Sequence, residues 1–201
     1  MQAAVLTGIT AYISTSIDYL IILMVIFGSV PAKQRWLVYW GDLLGTAVLV
    51  AASLIMAFVL GFVPQEWLLG LLGLIPIFMG IQLLVVGEKD DDAVVTTQMQ
   101  QRRNIILNVA VVTIATCGAD NIGIYVPIFT QAKPSALFII LFTFLVMLSV
   151  FCYLGYLLIK IPKVADLLER YGRYITAVVY IGLGAYIMLE SGTVQHLLTL
   201  I

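Results

Sequence analysis

The chain has 201 residues, of which 62% are hydrophobic and only 10% are charged, and its formal net charge is −1. Soluble domains are about half apolar and about a quarter charged, so this composition is typical of an integral membrane protein. The near-zero net charge excludes the strongly basic surface that nucleic-acid binding requires. We therefore expect a lipid bilayer around the protein and no nucleic-acid partner.

Long apolar runs begin close to the N-terminus, where MQAAVLTGIT lacks the positive region of a signal peptide. The first run is therefore expected to remain as a membrane span. Each run is about twenty residues long, enough for a helix to cross roughly 30 Å of hydrocarbon. The runs predict six transmembrane helices, at about residues 5–27, 37–60, 67–87, 105–129, 135–159 and 171–190. Continuous runs differ from the alternation of a membrane β-barrel, so the predicted fold is an all-α membrane protein.

The longest connection between spans, residues 88–104, lies midway along the chain. We predict a three-helix repeat over residues 1–87, a cytoplasmic linker over 88–104, and a second three-helix repeat over 105–201. Because three spans reverse the direction of the chain across the membrane, two such repeats must be inverted. Inverted repeats recur in transporters, whose binding sites lie near the membrane midplane between the repeats.

Short similarities support the two repeats. A shift of 102 residues places STSIDY (Ser14–Tyr19) on TCGADN (Thr116–Asn121). A shift of 104 residues places Gly80 on Gly184. The identities are few, so the repeat is an expectation that depends mainly on the spans.

The distribution of Lys and Arg predicts the orientation. Nine of these residues fall in the connections between spans 1 and 2, 3 and 4, and 5 and 6, whereas Lys133 falls on the opposite side. The nine are Lys33, Arg35, Lys89, Arg102, Arg103, Lys160, Lys163, Arg170 and Arg173. Because cytoplasmic loops carry an excess of Lys and Arg, both termini are expected outside.

Four carboxylates fall within the predicted spans: Asp18, Asp42, Asp120 and Glu190. We expect Asp42 and Glu190 near span ends, within reach of water or headgroups, and Asp18 and Asp120 at depth. A charged carboxylate at the bilayer centre costs at least about 2.5–3.5 kcal/mol, and every basic residue is assigned to a loop or a span edge. A cation or protons would therefore supply the missing positive charge. The alternative is a protonated, hydrogen-bonded aspartate with a structural role.

Helical spacing adds donors to each deep aspartate. Ser14 and Thr15 lie one turn before Asp18, and Thr116 and Cys117 lie one turn before the aspartate of span 4. Two such clusters facing each other would form a site for a divalent cation. A thiolate moves metal preference toward Zn²⁺, Cu⁺ and, by the same softness argument, Cd²⁺. The alternative for Cys117 is a small apolar core residue.

Other polar or helix-disturbing residues are secondary candidates. Asn121 follows the aspartate of span 4, and Gln82 lies in span 3. Pro127 removes a backbone donor and disturbs the carbonyl four residues back, which would serve either a cation pathway or close packing. The residues considered as secondary ligands or as part of the ion pathway are Asp42, Gln82, Pro127 and Glu190.

Three segments stand out together: AYISTSIDYLIIL, VPQEWLLGLLGLIPIFMGIQLL and TIATCGADNIGIYVPIF. They resemble the CadD-type cadmium-resistance transporters of Gram-positive bacteria, which belong to the LysE superfamily of exporters. The resemblance covers essentially the whole chain. It implies a six-helix efflux protein of the bacterial plasma membrane that lowers cytoplasmic Cd²⁺, with Zn²⁺ as a second candidate. The paired acidic motifs of the family correspond here to Asp18 and Asp120, with Cys117 and Asn121 in the second motif.

The resemblance and the residue pattern together predict a secondary transporter rather than an enzyme, without a permanently bound cofactor. A metal site between spans 1 and 4 would change access from one side to the other. Because the chain has no GxxxxGK[ST] nucleotide loop, proton exchange at the same carboxylates is the simplest energy source.

Three alternative functions remain. The first is export of an amino acid or another cation, although no basic residue is placed to bind an amino acid's carboxylate. The second is a thiol–disulfide relay, which is disfavoured because Cys117 and Cys152 both lie in the second half. The third is a noncatalytic membrane scaffold. For the oligomeric state, a homodimer is an open alternative.

Overall fold

The computed structural model describes residues 2–17, 19–62, 66–86 and 104–199, which are almost entirely helical. Asp18 and the predicted linker, except for Asn104, lie outside the described residues. The helices are α1 (Gln2–Ser16), α2 (Tyr19–Ser29), α3 (Trp36–Leu60), α4 (Glu66–Gly70), α5 (Leu74–Val85), α6 (Ile105–Gln131), α7 (Pro134–Leu158), α8 (Pro162–Glu190) and α9 (Thr193–Leu198). The all-helical prediction is confirmed for the described part of the chain.

Several of these helices are suited to a membrane. In the described residues, α3, α6 and α7 are each long and apolar enough to cross a bilayer, and α1 with α2 makes a fourth candidate if the pair is one bent span. Shorter apolar helical segments, Leu71–Val85 and Tyr174–Glu190, coincide with the third and sixth predicted spans. The protein is therefore a multi-pass membrane protein, and the full set of six spans stays a prediction.

Large apolar side chains point outward along these helices. Five examples, each about two-thirds exposed or more, are Phe58, Phe78, Phe138, Phe142 and Val178. Such exposure would be unfavourable in water, whereas lipid tails are as apolar as the side chains. The outer surface is therefore matched to a bilayer.

The first predicted span, residues 5–27, contains two helices rather than one continuous helix, and its crossing of the membrane as a single bent span stays a prediction. The helices α1 and α2 are inclined by 62° to each other. Before the break, the hydroxyls of Ser14 and Thr15 donate to backbone carbonyls of the preceding turn, at 2.7 and 3.3 Å. The amide of Leu20 donates at 3.2 Å to the carbonyl of Ile17, three residues back. Because Ser and Thr hydroxyls that bond the preceding turn often bend helices, this run accounts for the break.

Prolines have different effects on the other helices. Pro76 lies in α5 just after the 3₁₀ turn Leu71–Gly73, consistent with its disturbance of the preceding turn. Pro127, in contrast, lies within α6, which continues to Gln131. Pro162 occupies the first turn of α8, where its missing N–H is tolerated. This helix therefore starts nine residues before the predicted start at residue 171.

The helices pack in a regular pairing. The main contacts join α3 to α6, α5 to α8, and α1 and α2 to α7. Small residues bring the backbones together: a Cβ added at Gly45 would lie 2.7 Å from Thr113 Cβ, and one added at Gly73 would lie 2.6 Å from the Gly184 carbonyl oxygen. This close packing determines which polar side chains of α1, α2, α3 and α6 are enclosed.

An aromatic cluster fills the space between α1, α6 and α7. The ring centroid of Phe144 lies 5.8 Å from that of Tyr12 and 4.5 Å from that of Tyr125. Phe129 joins the same buried cluster. These rings hold α1 against α6 next to the polar residues described below.

Candidate metal centre

The candidate ligands of α6 lie on consecutive turns of the helix. Asp120 is half-buried, and the side chain of Cys117 is only 6% exposed. The hydroxyl of Thr116 donates to the carbonyl of Val112 at 2.9 Å and lies 3.6 Å from the Cys117 sulfur. A carboxylate, a thiol and a hydroxyl therefore lie within about one turn of one another.

Asn121 is the least satisfied member of this group. Its side chain is 4% exposed, and among the described residues its Oδ1 has no hydrogen-bond partner. A buried acceptor without a partner costs about 1–3 kcal/mol. An amide oxygen in this state is a suitable ligand for a cation, since oxygen donors complement the adjacent carboxylate.

The helix that carries the other candidate cluster is in contact with α6. Ser14 and Thr15 are both buried at the end of α1. The hydroxyl of Thr15 forms a hydrogen bond of 3.1 Å with the hydroxyl of Tyr125, on α6. Asp18 lies outside the described residues, so the pairing of its carboxylate with that of Asp120 stays a prediction.

The burial of one carboxylate, on α3, was predicted wrongly from the sequence. Asp42 was expected within reach of water or headgroups, but its side chain is 1% exposed. Its Oδ1 accepts a hydrogen bond of 3.2 Å from Thr113, whose hydroxyl lies 2.7 Å from that of Tyr19. The cause is the close packing of Gly41 and Gly45 against α6, which encloses the carboxylate between the helices. We call Asp42, Thr113 and Tyr19 the buried carboxylate cluster.

A sequence signal for this cluster existed. Thr113 lies one turn before Cys117 and two turns before Asp120, so it extends the polar stripe of α6. Tyr19 directly follows Asp18. Extending each polar stripe by one turn would have found both hydroxyls, although not their common partner on α3.

The remaining secondary candidates lie elsewhere. Gln82 on α5 and Glu190 at the end of α8 are exposed, as expected for Glu190. Pro127 is buried in α6. A Cβ added at Gly123, four residues earlier, would lie 2.7 Å from the sulfur of Met79 on α5. This contact favours packing as the reason for the glycine.

Acidic and thiol groups alone do not complete a site among the described residues. In that part of the chain, no three His, Cys, Asp or Glu side chains come close enough to hold a metal ion. A complete ligand set would therefore need Asp18, the Asn121 amide oxygen or the hydroxyls of Ser14, Thr15 and Thr116.

Comparison with known proteins identifies the family. The family model described as cadmium resistance transporter matches residues 12–200, a range that includes every candidate ligand. No curated protein and no solved structure gives a significant match to the chain. Because the match covers nearly the whole sequence, the chain belongs to the cadmium resistance transporter family.

Proposed function

We propose that the protein exports Cd²⁺ from the bacterial cytoplasm across the plasma membrane, with Zn²⁺ as a second substrate. The observation that carries this proposal is the buried, unpartnered Oδ1 of Asn121 beside Asp120 and Cys117, in a chain of a cadmium resistance family. A carboxylate, a thiol and an amide oxygen are donors that suit a divalent cation of intermediate or soft character, such as Cd²⁺.

The proposed ligands come from the two segments that the sequence pairs. Asp18 and Asp120 would supply the negative charges, Cys117 the soft donor and Asn121 a neutral oxygen. The auxiliary donors are the hydroxyls of Ser14, Thr15 and Thr116. The hydrogen bond between Thr15 and Tyr125 supports a site between α1 and α6, because it brings the end of α1 against α6.

Alternating access would use two inverted halves, and two features support this arrangement. Exchanging the halves converts the α1–α7 contact into the α6–α3 contact, and both occur. Within the α5–α8 interface, Gly73 faces Gly184 and Gly80 faces Ala177. A shift of 104 residues converts each of these pairs into the other. Rocking of the halves about this interface would expose the metal to one side and then the other.

The proposed driving force for export is the proton gradient: protons entering the cell would drive Cd²⁺ outward. In the proposed orientation, the connections between spans 1 and 2, 3 and 4, and 5 and 6 would face the cytoplasm. Both termini would then face outside.

Transport in proteoliposomes tests this function. Purified protein is reconstituted with a metal-sensitive dye inside the vesicles, and Cd²⁺ and Zn²⁺ are compared with a pH gradient imposed or removed. We expect a Cd²⁺ flux that rises when the pH gradient drives protons in the direction opposite to the movement of the metal. Flux no greater than that of protein-free vesicles, for both metals, would contradict the proposed function.

Replacement of Cys117 by serine tests the soft ligand. We expect Cys117→Ser to weaken Cd²⁺ transport much more than transport of a harder ion such as Mn²⁺, because a hydroxyl replaces a thiolate. Competition of each metal in the vesicle assay provides the measurement. Cys152→Ser is the matched control, since Cys152 is an equally buried thiol in the apolar cluster on α7. Equal losses for both metals would indicate a packing role for Cys117.

A further inference from the structure

The buried carboxylate cluster has a chemistry that the proposed metal site does not use. Asp42 lies in the seventh position of α3, about 9 Å along the helix from its cytoplasmic end in the proposed orientation. Its carboxylate is enclosed by α2 and α6, with Thr113 donating to Oδ1 at 3.2 Å. The hydroxyl of Tyr19 lies 2.7 Å from the hydroxyl of Thr113 and also interacts with the carboxylate.

The groups that face this carboxylate are hydroxyls and thiols. In the described residues, the titratable and polar groups that interact with this carboxylate include Tyr12 of α1, Tyr19 of α2, Thr113 and Tyr125 of α6, and Cys152 of α7. None carries a positive charge, and among the side chains whose exposure the structure describes, no Lys or Arg is buried. Asp42 therefore has no salt-bridge partner there.

Such surroundings favour exchange of a proton rather than binding of a metal. Burial in an apolar interior makes an ionised carboxylate costly unless a positive charge lies close to it. Hydroxyl donors support the ionised form when a positive charge approaches. A metal would need several carboxylate or thiolate ligands, and within the described residues none accompanies Asp42 in a group of three.

The cluster is linked to the proposed metal ligands through two helices. Thr113 and Cys117 are separated by four residues on α6, which places their side chains about one turn apart on one face. Tyr19 directly follows Asp18. The charge of a bound metal would therefore interact electrostatically with the Asp42 carboxylate, because the interior between them has a low dielectric constant.

We propose that Asp42 is the proton carrier of the transporter, distinct from the metal ligands, with Thr113 and Tyr19 as its positioning residues. This inference rests on the proposed metal transport. When Cd²⁺ binds from the cytoplasm, the carboxylic acid of Asp42 releases one proton to cytoplasmic water. After Cd²⁺ leaves on the outer side, the carboxylate takes up one proton from external water. The protein then returns to the state that is open to the cytoplasm.

The test separates metal binding from proton coupling in the variant Asp42→Asn, which keeps the shape of the side chain but cannot exchange a proton. We expect it to bind Cd²⁺ and to exchange Cd²⁺ across proteoliposomes as the wild type does. Accumulation driven by a pH gradient, and the proton release that accompanies Cd²⁺ binding, should be lost. Accumulation equal to wild type would overturn the proposal, and so would loss of Cd²⁺ binding in folded protein, since Asp42 would then be a ligand.

A second variant decides the matter if Asp42→Asn does not fold. Thr113→Val removes the donor and keeps the volume, so the pH dependence of coupled transport should move to higher pH, because the ionised carboxylate loses a hydrogen bond. An unchanged profile would refute the coupling. Ser53→Ala is the control, since Ser53 is a buried hydroxyl of α3 that donates to the Leu49 carbonyl at 2.9 Å. Failure of the proposed function itself would be seen separately, as absent flux in the wild type.

Discussion

Replacement of Asp120 by asparagine is expected to reduce cadmium resistance to that of cells without the transporter. The substitution keeps the size of the side chain and removes its negative charge. A doubly charged ion in a low-dielectric interior depends on carboxylates for its stabilisation, and the neighbouring Cys117 and Asn121 cannot restore the negative charge that the substitution removes. Asp18→Asn is expected to have the same effect. Growth in graded CdCl₂, with membrane protein amounts measured by immunoblot, provides the readout.

Glu190→Gln is the control for this pair. It makes the same chemical change at an exposed carboxylate at the end of α8, outside the proposed ligand set. We expect resistance close to wild type. Wild-type resistance in both aspartate variants, at normal protein levels, would exclude the proposed site.

Replacement of Gly184 by leucine is expected to prevent α5 and α8 from packing. Any Cβ at this position meets the backbone carbonyl of Gly73 and lies 2.6 Å from Cγ1 of Ile77. A backbone atom cannot rotate away, so the helices must separate. Overpacking costs about 1–3 kcal/mol where side chains can adjust, and we expect a larger loss here. Thermal unfolding and size-exclusion chromatography of the purified protein in detergent measure the effect.

Gly182→Leu is the matched control on the same helix. A Cβ added at Gly182 meets nothing within 4 Å, and the residue is exposed on α8. Leucine has a higher helix propensity than glycine, so this variant should fold at least as well as the wild type. Equal unfolding temperatures for the two variants would show that the α5–α8 contact is not required.

The apolar runs were sufficient to predict helices across most of the chain. The predicted fourth and fifth spans, 105–129 and 135–159, agree with α6 and α7 to within two residues at each end. Asn104 caps α6 by accepting from the Leu107 amide at 3.5 Å, and Pro134 begins α7. Composition over twenty residues and local capping are both properties of the sequence itself.

The break after α1 was a local feature that hydropathy could not reveal. Ser14 and Thr15 were interpreted as ligand donors, whereas their hydroxyls also bond the preceding turn. Hydropathy averages these residues into the apolar run around them. A continuous span was therefore predicted where the structure has two helices.

What the sequence by itself determined is the class of protein, the helices, the family and the polar residues that could bind a cation, because these depend on composition, periodicity and motifs. What only the tertiary structure decided is which polar groups share an environment. The position of Asp42 in its helix is the same whether its side chain is exposed or buried. The side chain is buried because Gly41 and Gly45 let α6 approach closely. Its partners Thr113 and Tyr19 come from helices distant in the chain. Burial and hydrogen bonding depend on contacts between helices, which no single stretch of sequence contains.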